Sequence, residues 1–403
     1  MNELKEMIEQ NAMHFEKEFG HQPFLTGVAP GRINIIGEHT DYNEGLSLAT
    51  AINRWVLVSI RRRDDSTVVV KSGNYNSTYR FEVGQQTLDE TMWHKILNGI
   101  TSIMKNNYGI KNGFEAYIWG NVPLGSGVSS SAAIEIALLN SLRALYQLDF
   151  SDTQLVLYSQ ETEHTYLKVQ SGLLDQYTSQ FSVGNKFILL DFQSITHRYI
   201  PANLMGYQWV LVNTMVKREL SGSKYSERVE ETKKAFLLIQ GKYSNVKHFR
   251  DLEQQHTEVL EDLVLRRRML HYIQENRRVT NFVNAILQND LINAGNYLSA
   301  SHKSLKENYE VSCEELDFLQ ENALAIKGCI GSRMMGGGFG GCTINLVKDQ
   351  NIENFKLQIS SKYVSKFGIA PEVNIYKSAS GAFIENHYIG SAEKPMLKND
   401  ITI

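Results

Sequence analysis

A glycine- and serine-rich loop that runs straight into an apolar helix, PLGSGVSSSAAIEIA at residues 123–137, restricts this chain more than any other stretch. The first turn of an α-helix leaves its backbone N–H groups unpaired, and the aligned peptide dipoles add roughly half a positive charge there. Glycine lets a backbone approach a bound group closely and take conformations other residues avoid. Together these features make an anion site whose usual occupant is phosphate. Serine hydroxyls add donors for phosphate oxygens, or ligands for magnesium. Pro123, Gly125, Ser126, Gly127, Val128, Ser129, Ser130 and Ser131 are therefore candidate phosphate-binding positions. No Gly-Lys-Ser/Thr follows, so this is not a Walker A loop. A buried helix with a serine cap would explain the same letters, and both readings stand at this point. Beyond the loop, Ile134, Ala137, Leu138, Leu142 and Leu145 fall on one helical face.

Two further loops carry unusual chemistry. PGRINIIGEHTDYNEG, residues 30–45, places Arg32, Glu38, His39 and Asp41 within ten residues, beside an apolar INII. Charged groups held against a buried frame need partners or a ligand. Carboxylates and imidazole suit the hydroxyls of a sugar, and a structural ion pair is the plainer alternative. The third loop, GGGFGG, holds Gly336, Gly337, Gly338, Gly340 and Gly341 within six positions. That much glycine is costly in backbone entropy. A flexible linker is one explanation. Close approach to a ligand or to the first half of the chain is the better one, because the strand-like CTINLV follows at once.

The 403 residues suit two domains, and 42% apolar content suffices for full burial. A net charge of −3, spread along the chain, gives no footprint for nucleic acid. Cys313, Cys329 and Cys342 form no CxxC pair, which fits a reducing compartment. The amino terminus has Leu4, Met7, Ile8, Phe15 and Phe19 at helix-like spacing with charges between, and no apolar run typical of a signal peptide. The expectation is a soluble cytoplasmic protein with small-molecule substrates and no nucleic-acid or membrane partner, a monomer or weak dimer. WVLVSI and TVVVKS read as a hairpin with the charged tip RRRDDS, a solvated turn at Arg61–Arg63. DTQLVLYSQETEHTYL reads as a helix, KFILLDF and YQWVLVNT as strands flanking Pro201, and Arg266–Arg268 as a solvated helix face. A boundary near Pro201 divides the chain into residues 1–200 and 201–403, each mixing strands and helices.

In this order the three loops resemble the GHMP family of small-molecule kinases, and GRINIIGEHTDYNEG resembles the galactokinase signature within it. GLLDQ (172–176), NTMVKRELSGSKYSER (213–228), SHKSLKENYEVSCEELD (301–317) and GSRMMGGGFGGC (331–342) agree, so the resemblance runs from about residue 23 to about 385. It implies an α+β, two-domain GHMP kinase fold. The N-terminal domain is ribosomal-S5-domain-2-like and the C-terminal one ferredoxin-like, with the active site between them and the last strands packing back on the first domain. It also implies transfer of phosphate from ATP, with Mg2+, to the anomeric hydroxyl of α-D-galactose, the first step of the Leloir pathway. A related sugar-1-kinase and a non-catalytic galactose/ATP sensor are the alternatives.

The resemblance assigns Asp175 as base or orienting carboxylate and Arg32 as transition-state stabiliser. It assigns sugar contacts to Glu38, His39, Asp41, Gly172 and Tyr225, metal contacts to Ser131 and Glu163, and adenine packing to Trp93. A carboxylate beside a guanidinium is a weaker base, so the pairing favours an orienting role for Asp175. His302 reads as a structural hydrogen-bonder and Cys342 as a buried packer. The chain departs from the family pattern at Ala49, usually proline, and at Ile96, usually a tyrosine near the adenine pocket. The second departure implies a less strictly adenine-specific site.

Overall fold

Helix α1 (Asn2–Phe19) leads into β1 (Leu25–Ile36), whose residues are all buried. β-Branched and aliphatic runs continue as β2 (Leu46–Arg62) and β3 (Thr67–Ser72), and the mixed STYRFE forms β4 (Ser77–Glu82). Then come α2 (Met92–Tyr108), β5 (Phe114–Gly120), α3 (Ser130–Leu145), α4 (Asp152–Thr162), α5 (Leu174–Phe181), β6 (Lys186–Asp191) and β7 (Thr196–Pro201). The second half holds β8 (Tyr207–Asn213), α6 (Ser221–Gln240), α7 (Leu263–Leu287), α8 (Leu291–Ser304) and α9 (Glu314–Leu324). It ends with β9 (Cys329–Met335), β10 (Cys342–Lys348), α10 (Ile352–Phe367), β11 (Glu372–Tyr376) and β12 (Phe383–Asn386). The computed structural model describes residues 2–85, 91–123, 125–216 and 221–387. Residues 217–220 of the NTMVKRELSGSKYSER stretch and Leu124 of the serine loop lie outside these.

The first sheet has the order β12-β1-β2-β5-β3-β4, with β6 joined to β2 and β7 to β6. This overturns the expected hairpin. β5 lies between β2 and β3, antiparallel to the first and parallel to the second. The runs were strands, but strand propensity says nothing about which strand is the neighbour, and Arg63 at the charged tip pairs with Glu115 on β5 as well as Asp65. KFILLDF and YQWVLVNT form β6 and β8 on either side of Pro201, which itself ends a further strand, β7. β12 pairs with β1, so the end of the described chain returns to the first sheet.

The second sheet, β11-β8-β10-β9, is antiparallel throughout. Its alternation splits β8 between two cores. Trp209 and Leu211 face the large cluster shared with the first sheet, and Val210 and Val212 face Phe355, Ile359 and Tyr363 of α10. The class is α+β, with one continuous core running between the sheets. Helix α3 is buried on nearly all sides, beyond the single face its spacing suggests. Arg268 corrects the reading of a solvated basic run: it is 1% exposed and bonded to Glu231 and Glu310. Among the described residues no helix is long and apolar enough to cross a membrane.

Candidate active site

β1 brings Arg32 to the serine loop. The Arg32 backbone N–H donates to the Val128 carbonyl at 3.0 Å, and a Cβ on the preceding Gly31 would lie 2.8 Å from that same oxygen. Only glycine therefore lets the loop lie flat on the strand. The Arg32 guanidinium donates from Nη1 to the Gly127 carbonyl at 2.5 Å. Nε and Nη2 reach Oδ1 of Asp175 at 2.8 and 2.7 Å. Asp175, in the first turn of α5, takes the Ser129 hydroxyl on its other oxygen.

Ser129 precedes α3 in a left-handed conformation, φ 61°, and its side chain caps none of the helix amides. That removes the side-chain cap reading for Ser129, since its hydroxyl goes to Asp175. Gly125 and Gly127 also have positive φ, Ser126 bonds the Pro123 carbonyl at 3.0 Å, and Val128 is buried. Half-buried Ser130 and Ser131 open the helix.

The turn after β1 holds the other charged residues. Glu38 accepts from Asn34 Nδ2 (2.7 Å), from Arg333 Nη2 (3.0 Å) and from the Gly336 N–H (2.6 Å), so the first and third loops meet at one carboxylate. His39 Nδ1 pairs with the Tyr42 hydroxyl at 2.8 Å, and its ring lies 4.8 Å from Tyr309 and 5.4 Å from Tyr225. A Cβ on Gly172 would sit 1.9 Å from Asp41 Oδ2, and one on Gly337 3.3 Å from Tyr225. Gly338 packs on Val311, and the Gly341 carbonyl accepts the Thr214 N–H, while Gly340 completes the turn at φ 125°. Glu38, His39, Asp41, Gly172, Tyr225 and the glycine loop thus gather beside the Arg32–Asp175 pair.

Comparison with known proteins agrees with this arrangement. A model of the galactokinase galactose-binding signature matches residues 13–62, and models of the GHMP kinase N-terminal and C-terminal domains match 95–182 and 282–365. A galactokinase of Clostridium beijerinckii is 36% identical over 375 residues, 91% of this chain and 96% of its own. The chain belongs to the galactokinase family. A galactokinase of Thermosipho africanus is 37% identical over 88% of this chain and 97% of its own. The crystal structure of Lactococcus lactis galactokinase complexed with galactose superposes with a TM-score of 0.89 at 33% identity, covering 94% of this chain and 99% of that one. A mevalonate kinase of Methanococcus jannaschii, at 16% identity and TM-score 0.61, shares the fold.

In this galactokinase-family site acidic groups crowd together. Burial, then the charges of Asp175 and Glu38, push the Asp41 carboxyl up to about 7. Burial likewise lifts Glu163, which accepts the Ser171 hydroxyl, to about 7. Glu135, one turn beyond Ser131 on α3 and bonded to Ser159, is pushed well above the carboxylate range by burial and by Glu163. Burial and neighbouring His271 hold His39 down at about 3, so its ring is neutral.

The shift of Asp41 has a stability consequence. The folded chain holds this proton up to about 7, whereas an ordinary aspartate loses it near 3.8. Folding therefore takes up a proton between those values, and stability falls as pH rises through them. Without ligands, Asp41→Asn should gain in melting temperature on the natural chain from pH 5 to pH 8. A gap that stays constant across that range would contradict this.

Trp93 and Tyr75 border a cavity that reaches Ser130 and Ile134 at the start of α3. Ile96 does not line it and is buried in the core, as is Ala49. His302 accepts the Met334 N–H and pairs with Asp317, and the Cys342 thiol bonds the Ser126 carbonyl at 2.8 Å.

Several residues around the site had no distinct signal. Helix α7 presses His271, Glu275 and Asn276 onto the acidic turn, bonding the Glu38 carbonyl (3.1 Å), the Gly37 N–H (3.1 Å) and the Leu46 N–H (2.7 Å). Arg333, fully buried, also bonds the Asn34 and Ile35 carbonyls. Tyr42 and Tyr309 share a hydroxyl contact of 2.8 Å. A Glu within the apolar run of α3 was the available sign for Glu135.

Proposed function

We propose that this chain transfers the γ-phosphoryl group of ATP to the anomeric hydroxyl of α-D-galactose, giving galactose 1-phosphate and ADP. The Arg32–Asp175 pair carries the reading, because hydrogen bonds to Gly127 and Ser129 tie it to the serine loop. Phosphoryl transfer asks a protein mainly for in-line positioning and charge neutralisation. The first turn of α3 supplies amides and hydroxyls to the phosphates. Arg32 holds a fixed positive fork where charge grows on the transferred group. Asp175 accepts the sugar hydroxyl in place of Ser129, directs its lone pair at phosphorus and takes its proton as the bond forms.

Glu38, His39, Asp41 and Tyr225 surround the sugar, and Gly172 leaves it room beside Asp41. Trp93 and Tyr75 hold the base. A magnesium ion fits the excess of buried carboxylate. Glu163, with its burial-raised proton affinity, and Ser131 are the residues that would hold it. When bound it would neutralise phosphate charge. Among the described residues no three acidic, His or Cys side chains are arranged to grip a metal alone, so phosphate oxygens complete its shell.

The test is phosphorus NMR of the full chain with ATP, magnesium and either galactose, N-acetylgalactosamine, arabinose or glucose. A sugar 1-phosphate signal strongest for galactose is expected. A stronger signal with another sugar would reassign the substrate. Galactose binding without ADP release would indicate a sensor.

A further inference from the structure

We infer that the nucleoside cavity is read by shape and stacking rather than by base edges. The chain therefore also uses 6-oxopurine nucleoside triphosphates, inosine and guanosine triphosphate, as phosphoryl donors. This rests on the proposed function. Ser130 of the serine loop lines the cavity, so a nucleotide with its phosphates on that loop places its base there. The Tyr75 and Trp93 rings are within 12° of parallel, with centroids 6.2 Å apart, and Val56, Ile118 and Val122 supply aliphatic wall. Among the described residues no carboxylate, Lys or Arg lines it.

Of the polar side chains among the described lining residues, Asn74 and Ser72 are bonded to backbone. Asn74 donates to the Gly120 carbonyl at 2.9 Å and accepts the Gly120 N–H at 3.0 Å, which occupies its amide and that stretch of backbone together. Ser72 Oγ accepts the Tyr75 N–H at 3.3 Å. The Tyr75 hydroxyl belongs to a ring that is 50% exposed, and a hydroxyl can donate or accept. The Trp93 indole N–H is a donor only, and it can address ring nitrogens that all purines share.

Adenine presents a donor at C6 and an acceptor at N1, and a 6-oxopurine presents the reverse. Rejecting the reverse pattern needs fixed, buried partners that the wrong base leaves unpaired, which yields about 10⁴–10⁵-fold discrimination. A pocket without them discriminates by only about 10–200-fold. The chemistry is unchanged. The sugar O1 lone pair forms the new P–O bond, the bond from the γ-phosphorus to the β–γ bridging oxygen breaks, and its electron pair leaves with the nucleoside diphosphate. The O1 proton goes to Asp175 and then to solvent.

The experiment measures kcat/KM for galactose phosphorylation with ATP, ITP and GTP at matched magnesium. ITP and GTP within about 100-fold of ATP is the expected result. A larger loss with either overturns the inference while leaving the ATP reaction intact. Absence of turnover with ATP itself would instead sink the proposed function. Tyr75→Leu supplies a second readout. It should raise KM for ATP and ITP by similar factors and leave KM for galactose unchanged, because a stacking wall serves both bases alike. A KM increase for one donor alone overturns the inference as well.

Discussion

Replacing Asp175 with asparagine is expected to lower galactose-dependent turnover of ATP about 10²–10⁴-fold, the usual worth of a positioned acid–base group. Asparagine keeps the shape of the side chain and loses the charge and the ability to accept a proton. Asp175 divides its oxygens between two tasks: Oδ1 anchors the guanidinium of Arg32, and Oδ2 takes the Ser129 hydroxyl in the absence of sugar. The amide oxygen can still accept from Arg32 but without the ion pair, and the NH2 group that replaces the second oxygen cannot accept a hydroxyl. The loss should fall mainly on kcat, because the sugar's other hydroxyls are held by the acidic turn. A variant with kcat within threefold of the natural chain would remove Asp175 from the chemistry. Arg32 is buried and Asp175 about one-third exposed, so the substitution also strands a cation. A melting curve taken beside the kinetics separates an inactive folded enzyme from an unfolded one.

What the sequence made legible follows from how local each cause is. The serine loop, its glycines and the helix behind it form one contiguous stretch, and helix termini act on ligands through nearby backbone. Arg32 and Asp175 lie 143 residues apart, yet each sits in a short motif, and resemblance placed them together before any coordinates did. The packing shell had no such signal. His271, Glu275 and Asn276 look like ordinary polar positions of a long amphipathic helix, and only the docking of α7 on the first sheet shows what they bond. Arg268 reads as solvated for the same reason: its partners Glu231 and Glu310 come from other segments. The false hairpin shows the limit for strands. The β-branched runs identified β2 and β3 correctly, but a chain that leaves through α2 and returns as β5 can insert a strand between them, and nothing in either run encodes that.

Gly172→Ala is expected to raise KM for galactose by about 100-fold or more, in line with the cost of moving a binding group by roughly 1 Å. The reason is space rather than backbone conformation. The new Cβ would lie 1.9 Å from Asp41 Oδ2 and 2.2 Å from its Cγ, so the carboxylate must move away from the sugar. Gly241→Ala is the matched control, because the nearest atom to its Cβ is 3.5 Å away, and its kinetics should be unchanged. The mechanism also fixes how the variant combines with Asp41→Asn. If the alanine acts by displacing Asp41, the double variant should be little worse than the poorer single one, since the same sugar contact is lost in each. Additive losses would mean that Gly172→Ala harms the site by another route. Non-additive losses would tie Gly172, Asp41 and the sugar into a single contact, in which one hydrogen atom in place of a methyl group decides whether the carboxylate reaches its ligand.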